Sequence, residues 1–388
     1  MCRKRPFAGL SRAGRRARVF RCARRSRPRA GAAAVGLCRR GPPRRPSRAP
    51  RRVSPARRFL AAARLCPAGC AAGAVRVARS GAGRGDGEAD DAVGQAAVRL
   101  AVAGYAPEWH PTWDAFAAKL RGWVEDAVGQ GADLLVFPEY AGIEAALIGT
   151  PAPRDVRAWY ARAAGAEAAL LDLCTTLARE TGTHILVGSC PTGPGGAINR
   201  THMVAPDGAT AHQDKQIMTP WERAETPLTP GDPLTVFDTD LGRIGVLVCY
   251  DSEFPALAAA LRADLLLLPA CTETRHGASR LRVAAMARAL EGGAVTAVAP
   301  LLGRVDGCAV IDVNRGQAGI YAPPDTGWPE TGVLAEAEAD RPGWLIHDVD
   351  MPAIAARRGA GEVDVAGHWG EQSRANRTRP PSVLCQRP

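Results

Sequence analysis

Three side chains set far apart in this sequence have types that can act together on one carbon atom. Glu139 follows the apolar residues 133–137 and Pro138, where a buried strand would end. A carboxyl held where such a strand exits into a crevice has its pKa raised by desolvation, which suits it to general-base work. The same position equally suits a capped, solvated glutamate. Cys249 ends the tight apolar residues 245–248 and precedes Tyr250-Asp251 and Phe254-Pro255, a strand-to-helix turn. A sulfur there points outward near backbone N–H groups, and a helix N-terminus lowers a thiol pKa. An unperturbed thiol is only about 3% thiolate at pH 7, so a nucleophilic Cys249 needs such activation; a buried structural cysteine is the alternative. Lys215 lies in His212-Gln213-Asp214-Lys215-Gln216, and Glu222 seven residues on in Thr219-Pro220-Trp221-Glu222-Arg223. Taken singly, both are ordinary surface charges.

Elements that would position these groups are legible around them. Residues 98–103 form a β-rich run, and residues 113–128 repeat apolar positions at helical spacing (Phe116, Leu120, Trp123, Val124, Ala127) before Gly129 and Gly131. An Ala/Leu-rich helix is expected over 158–180, closed by Gly182, then a strand over 183–188 and a Gly/Pro turn over 192–196. Residues 198–205 and 209–213 read as a hairpin around Pro206-Asp207-Gly208, and residues 235–238 and 243–249 as a second around Asp240-Leu241-Gly242. Helices over 255–261 and 279–291 alternate with strands over 264–268 and 294–299, and strands over 308–312 and 344–349 complete the set. Alternation interrupted by hairpins predicts an α/β fold in which helices cover mixed sheets.

The charge balance divides the chain of 388 residues. Its 50 Lys+Arg against 39 Asp+Glu give +11, but residues 1–90 hold 25 basic and 3 acidic residues and the remainder 25 and 36, so the segments carry +22 and −11. The basic excess therefore says nothing about the folded part, and no specific nucleic-acid partner is expected of it. The Arg/Ala/Gly/Pro-rich residues 1–92 cannot bury enough surface to offset chain entropy. They are expected to be disordered or to lie upstream of the native start; no Met separates Met1 from Met203, so a later start would use another codon, as at Val93 or Val98. Arg57-Arg58-Phe59-Leu60 is weakly similar to a twin-arginine export signal, though Arg64 interrupts the apolar stretch; salt-sensitive, nonspecific nucleic-acid binding is a further reading. Residues 93–375 are expected to form the folded domain and residues 376–388 a loose tail. No apolar run approaches the ~18 residues of a membrane span. The 11 cysteines form neither a CxxC pair nor a cluster with His, which argues against a zinc or iron–sulfur centre, and they read as reduced thiols of a cytoplasmic protein.

The combination of motifs changes the weight of the single residues. Phe137-Pro138-Glu139-Tyr140, then Asp214-Lys215 with Pro220-Trp221-Glu222, then the residues from Gly242 through Cys249-Tyr250-Asp251 occur in the order that resembles the carbon–nitrogen hydrolase (nitrilase) superfamily. Flanking Pro206-Asp207-Gly208, Pro230-Gly231-Asp232, Glu253-Phe254-Pro255 and Ala287-Arg288-Ala289-Leu290-Glu291 agree, and the likeness covers about residues 97–350. It implies a four-layer α-β-β-α sandwich that pairs into homodimers or higher oligomers. It implies a Glu-Lys-Cys triad carried onto Glu139, Lys215 and Cys249, with Glu222 matching a second glutamate and no metal or organic cofactor required. The roles are physically coherent: Cys249 attacks the carbon of a C–N group, Glu139 moves the proton, and Lys215 with the Tyr250 N–H stabilises the oxyanion. Tyr250-Asp251 after the cysteine, where nitrile-hydrolysing members usually carry Trp-Glu, resembles the amidase-type branches. A small linear amide is thus the expected substrate, with nitrile or N-carbamoyl amine hydrolysis and a non-enzymatic scaffold as alternatives. Tyr140, Trp221, Tyr250, Ser252 and Thr272 flank the motifs as candidate substrate contacts or packing residues. Two departures stand out: Arg262 where the family typically has Gly, and Gly292-Gly293 after Glu291, which is expected to loosen the helix end.

Overall fold

The computed structural model describes residues 97–149 and 155–372, together with the backbone of residues 74–76. Within the first 92 residues the description is confined to a short strand, β1 (Ala74–Arg76), and the expectations for the rest of that segment and for the tail over 376–388 lie outside the described residues.

The apolar runs form two sheets. In the first, β2 (Val98–Gly104), β3 (Leu134–Val136) and β4 (His184–Leu186) are parallel neighbours, and β16 (Gly343–Val349) pairs antiparallel with β2. β6 (Ile198–Val204) runs antiparallel to β4, to β5 (Cys190–Thr192) and to β7 (Thr210–Asp214). In the second, β9 (Gly242–Val246), β10 (Leu265–Ala270) and β11 (Val295–Pro300) are parallel. They are flanked by antiparallel β8 (Val236–Thr239) on one side and by β14 (Gly319–Tyr321) and β15 (Val333–Glu336) on the other, and β1 adds parallel to β8. β12 (Gly303–Arg304) and β13 (Val313–Asn314) pair apart from both.

The period of two along β2 assigns its two faces. Val98, Leu100 and Val102 join Phe237, Ile244 and Val246 between the sheets. Ala101 and Ala103 join Phe116, Leu120 and Val124 of α1 (Trp113–Gly129) and Leu170 and Leu177 of α2 (Val156–Thr181) on the outer face. The second sheet is covered by α4 (Pro255–Leu261) and α5 (Arg275–Gly292), whose Leu261, Leu281, Ala285 and Ala289 pack on Leu265–Ala270 strand residues. The layering is α-β-β-α with mixed sheets. Each fully buried Leu of β10 contributes about 2 kcal/mol to it. No helix among the described residues is long and apolar enough to cross a membrane.

Several boundaries differ from expectation. The strand expected over 308–312 is absent: these residues turn and bend between β12 and β13. β5, β14 and β15 are too short for alternation to reveal, and α5 begins four residues early because Thr274 caps it, accepting from Gly277 N at 3.1 Å. Gly293 does not loosen the end of α5. With φ 55° it is a left-handed cap whose N–H donates to Ala289 O and Leu290 O. Arg262 takes the equivalent left-handed position after α4, φ 47°, which is why glycine suits that site.

The sheets meet at the carboxyl ends of β2 and β11. Tyr105 N, just past β2, donates to Pro300 O of β11 (3.1 Å), and Leu302 N donates to Tyr105 O (2.7 Å). The carboxyl ends of β3, β9 and β10 therefore open toward one region, where ligands of α/β sheets bind.

Candidate active site

Glu139 stands three residues beyond β3, held by Phe137 N donating to Leu186 O (3.0 Å) and Tyr140 N donating to Ser189 Oγ (2.9 Å). The chain turns at once: Tyr140 has φ 61° and opens a short 3-10 helix, Ala141–Ala146. Lys215 directly follows β7, its N–H donating to Asn199 O at 2.9 Å. The neighbouring Asp214 is fixed by Arg200 Nε and Nη2 (2.6 and 2.8 Å) and by Asp232 N (2.9 Å). Gly231 presses so closely on Asp214 that a Cβ there would lie 2.2 Å from its Cβ, which is the requirement behind Pro230-Gly231-Asp232. Cys249 follows β9 with φ 50°, an uncommon conformation for a non-glycine residue that costs of order 1–3 kcal/mol and clusters at functional sites. Glu222 occupies the third position of α3 (Pro220–Glu225) in a capping box: Thr219 N donates to Glu222 Oε2 (2.7 Å) and Glu222 N to Thr219 Oγ1 (3.2 Å).

These four segments converge. Lys215 Nζ donates to Glu139 Oε1 at 2.8 Å and to Glu222 Oε1 at 2.6 Å, with all three side chains at most 3% exposed. Glu139 also accepts from Asn199 Nδ2 (3.0 Å) on Oε1 and from Cys271 N (3.0 Å) on Oε2. The Cys249 thiol lies against Cys271 O (3.5 Å), the residue whose N–H donates to Glu139 Oε2. Glu222 Oε1 further accepts from Tyr140 OH (2.7 Å), which meets Tyr160 OH at 2.8 Å.

The electrostatics separate the two glutamates. Burial pushes the Glu139 carboxyl up, and although Lys215 opposes this, the Glu222 charge adds to it, so Glu139 lies above the usual carboxylate range. Burial acts upward on Glu222 too, but the Lys215 charge and hydrogen bond, the Thr219 N–H and the Tyr140 hydroxyl outweigh it and hold Glu222 low. Burial works against the Lys215 ammonium, yet Glu139, Glu222 and Cys249 together raise it well above 10.5. Burial and the Glu139 charge raise the Cys249 thiol. Two carboxyls pushed apart beside a protonated thiol make an acid–base pair and a fixed counterion.

The flanking residues are dispersed. Tyr140 is buried behind Glu222; Trp221 is 42% exposed; Tyr250 packs edge-on against Phe254 with centroids 5.0 Å apart. Ser252 is fully buried, its hydroxyl donating to Cys249 O (2.7 Å), and Thr272 donates to Arg315 O (2.6 Å). Asn199, Tyr160 and the Cys271 N–H escaped sequence reasoning. Asn199 had a signal, since β6 alternates and a polar residue stands at an inward position. The Cys271 N–H, a backbone group, had none. Among the described residues, Glu108, His110 and Glu144, and His212, Asp214 and Asp232, come within metal-binding reach of one another. Lys119 already lies between the carboxylates of the first and Arg200 between those of the second, and neither includes Cys249.

Residues 99–356 match the family model described as carbon-nitrogen hydrolase. The chain is 31% identical over 270 residues to the probable hydrolase YhcX of Bacillus subtilis, covering 69% of this chain and 52% of that protein. It is 28% identical over 189 residues to the omega-amidase NIT2-B of Xenopus laevis, covering 45% and 65%. It thus spans about half to two thirds of these relatives' lengths. Its fold is similar to a mutant of the amidase from Nesterenkonia sp. AN1 that carries the acetamide moiety of fluoroacetamide on its active-site cysteine (TM-score 0.55, 22% identity, 73% of this chain and 97% of that one). This chain belongs to the carbon–nitrogen hydrolase family.

Proposed function

We propose that the protein is a thiol-dependent amidohydrolase that cleaves the C–N bond of a small linear amide through a Cys249 thioester. The observation that carries this reading is the convergence of Glu139, Lys215 and Cys249 from three separate segments, with Lys215 Nζ 2.8 Å from Glu139 Oε1 and Cys271 bridging Glu139 and Cys249, its carbonyl on the thiol (3.5 Å) and its N–H on Glu139 Oε2 (3.0 Å). Glu139 takes the thiol proton as the sulfur attacks the carbonyl carbon. The tetrahedral oxyanion is stabilised by Lys215 and the Tyr250 N–H. Collapse expels the amine, which leaves with the proton from Glu139. Glu139 then takes a proton from water, the resulting hydroxide displaces the sulfur, and the acid and free thiol are restored. Glu222, held ionised, keeps Lys215 charged and aimed. The amidases named above support an amide as substrate, and Tyr250-Asp251 favours it over a nitrile. The same reading takes the protein as a cytoplasmic homodimer.

Ammonia release across a panel of small amides, with the matching nitriles and N-carbamoyl amines alongside, tests it. Turnover of an amide, lost in Cys249→Ala, is expected. Turnover confined to nitriles or carbamoyl amines would replace the substrate class, and full activity without the sulfur would refute the mechanism.

A further inference from the structure

Asp251 is 1% exposed and takes no part in the chemistry above. It stands two residues past Cys249 in the same 3-10 turn, Cys249–Glu253, and its carboxylate reaches across to the other motif. Oδ1 accepts from Ile217 N at 2.8 Å and from Gln216 N at 3.3 Å, and Oδ2 accepts from Gln216 N at 3.0 Å. These are the two amides that follow Lys215. Lys215 itself is tied to β6 through its N–H on Asn199 O and to the Pro230-Gly231 turn through Gly231 N on its carbonyl (3.2 Å). Neither tie reaches the nucleophile; the Asp251 contact does. We propose that Asp251 is a positioning residue for the hydrolysis, its carboxylate clamping the segment that carries the Lys215 ammonium to the turn that carries the Cys249 sulfur.

The clamp is tightest with both oxygens as acceptors. Protonation of Oδ2 would remove its bond from Gln216 N (3.0 Å) and leave that amide only the longer 3.3 Å contact on Oδ1, loosening the clamp. Burial pushes the Asp251 carboxyl up to about 7, with the Gln216 N–H, the Lys215 charge and the Ile217 N–H opposing it and Glu139 adding to it. Lys215 and Glu139 are the charged side chains acting on it; Arg288 of α5 reaches the same turn but donates to Ser252 O (2.9 Å) and Glu291 (2.7 Å). The clamp is therefore tight above neutrality and loosens as pH falls through it.

This inference rests on the proposed hydrolysis, but its test does not require turnover. Alkylation of Cys249 by iodoacetamide, located by peptide mass spectrometry, is followed from about pH 5 to about pH 9 in the wild type and in Asp251→Asn, with folding checked by circular dichroism. The wild type should show an inflection near pH 7. In D251N the rate at alkaline pH should fall about tenfold or more and that inflection should vanish, because a misplaced catalytic group loses rate steeply. On an amide that the wild type turns over, kcat should fall with KM little changed. A folded D251N with the wild-type rate and profile overturns the clamp, as does a loss that follows only the folded fraction with the profile unchanged. If D251N does not fold, the wild-type profile decides, and absence of the inflection overturns it. A wild type that hydrolyses no amide yet shows the difference in alkylation would strike the hydrolase reading and support the clamp.

Discussion

Two clusters of buried carboxylate and cation stand at either end of one short helix, Ala141–Ala146. Glu139, just before it, shares Lys215 with Glu222. Glu144, within it, accepts on Oε1 from Glu108 N (2.9 Å), His110 Nε2 (2.9 Å) and Lys119 Nζ (2.7 Å), while its Oε2 has no partner. By ion pairs alone the two look equivalent. They differ in what adjoins them. The first meets a sulfur on a left-handed backbone and holds two glutamates pushed in opposite directions. Among the described residues no thiol is bonded to the second, and its Glu108 is 63% exposed, so solvent screens it. A buried ion pair marks a structural joint as readily as a reaction centre; a thiol on a strained backbone and split carboxyl pKa values mark the first cluster as the candidate for the latter.

The largest effect should come from the atom the second cluster lacks. Cys249→Ala should lower amide turnover about ten-thousandfold or more while the melting temperature moves little, since a small buried side chain replaces another in the same backbone conformation. Ammonia release and calorimetry on one preparation check both halves; a large loss of stability would mean the sulfur is structural and erase the contrast.

Lys215→Met should abolish turnover and also destabilise by about 3–5 kcal/mol, because two buried carboxylates lose their counterion. The deficit should depend on pH. In the wild type, Lys215 is raised above 10.5, so its stabilisation is present below that pH and is lost only as pH rises through the higher folded value. In the variant, Glu139 and Glu222 are both raised above their unfolded value, so their protonated forms are favoured and stability falls as pH rises from about 4.5. Denaturant unfolding at acidic and alkaline pH should show a deficit that grows with pH; a deficit that shrinks would contradict the pairing.

Much of this site was legible, for reasons that also explain what was not. Glu139 and Cys249 lie beside local signals, an apolar run before Pro138 and a strand-to-helix turn, whereas Lys215 and Glu222 were singled out only by the order of the motifs and the family resemblance. Helices alternating with hairpins predicted helices covering mixed sheets, while the four-layer α-β-β-α arrangement came from the family resemblance. The substrate-contact assignments rested on proximity in sequence, which does not say where a side chain points; Thr272 donates to Arg315 O and Tyr140 to Glu222. Strands of two to four residues such as β13 and β15 carry too few positions for a period of two and are defined by their partners.

The smallest effect tests the second cluster. Glu144→Gln keeps an acceptor for one or two of the three donors but removes the charge opposite Lys119, so a loss of about 1–3 kcal/mol is expected. If the cluster is a joint, kcat/KM of the folded variant should stay within about threefold of wild type, since sites without shared partners behave almost independently. Glu144 and Glu139 share no donor, and the helix between them keeps its own N–H bonds, Ile143 N to Tyr140 O (3.0 Å) and Leu147 N to Glu144 O (2.8 Å). A hundredfold fall in kcat with stability retained would show that the cluster sets the position of Glu139, and the distinction between joint and reaction centre would have to be redrawn to include both ends of that helix.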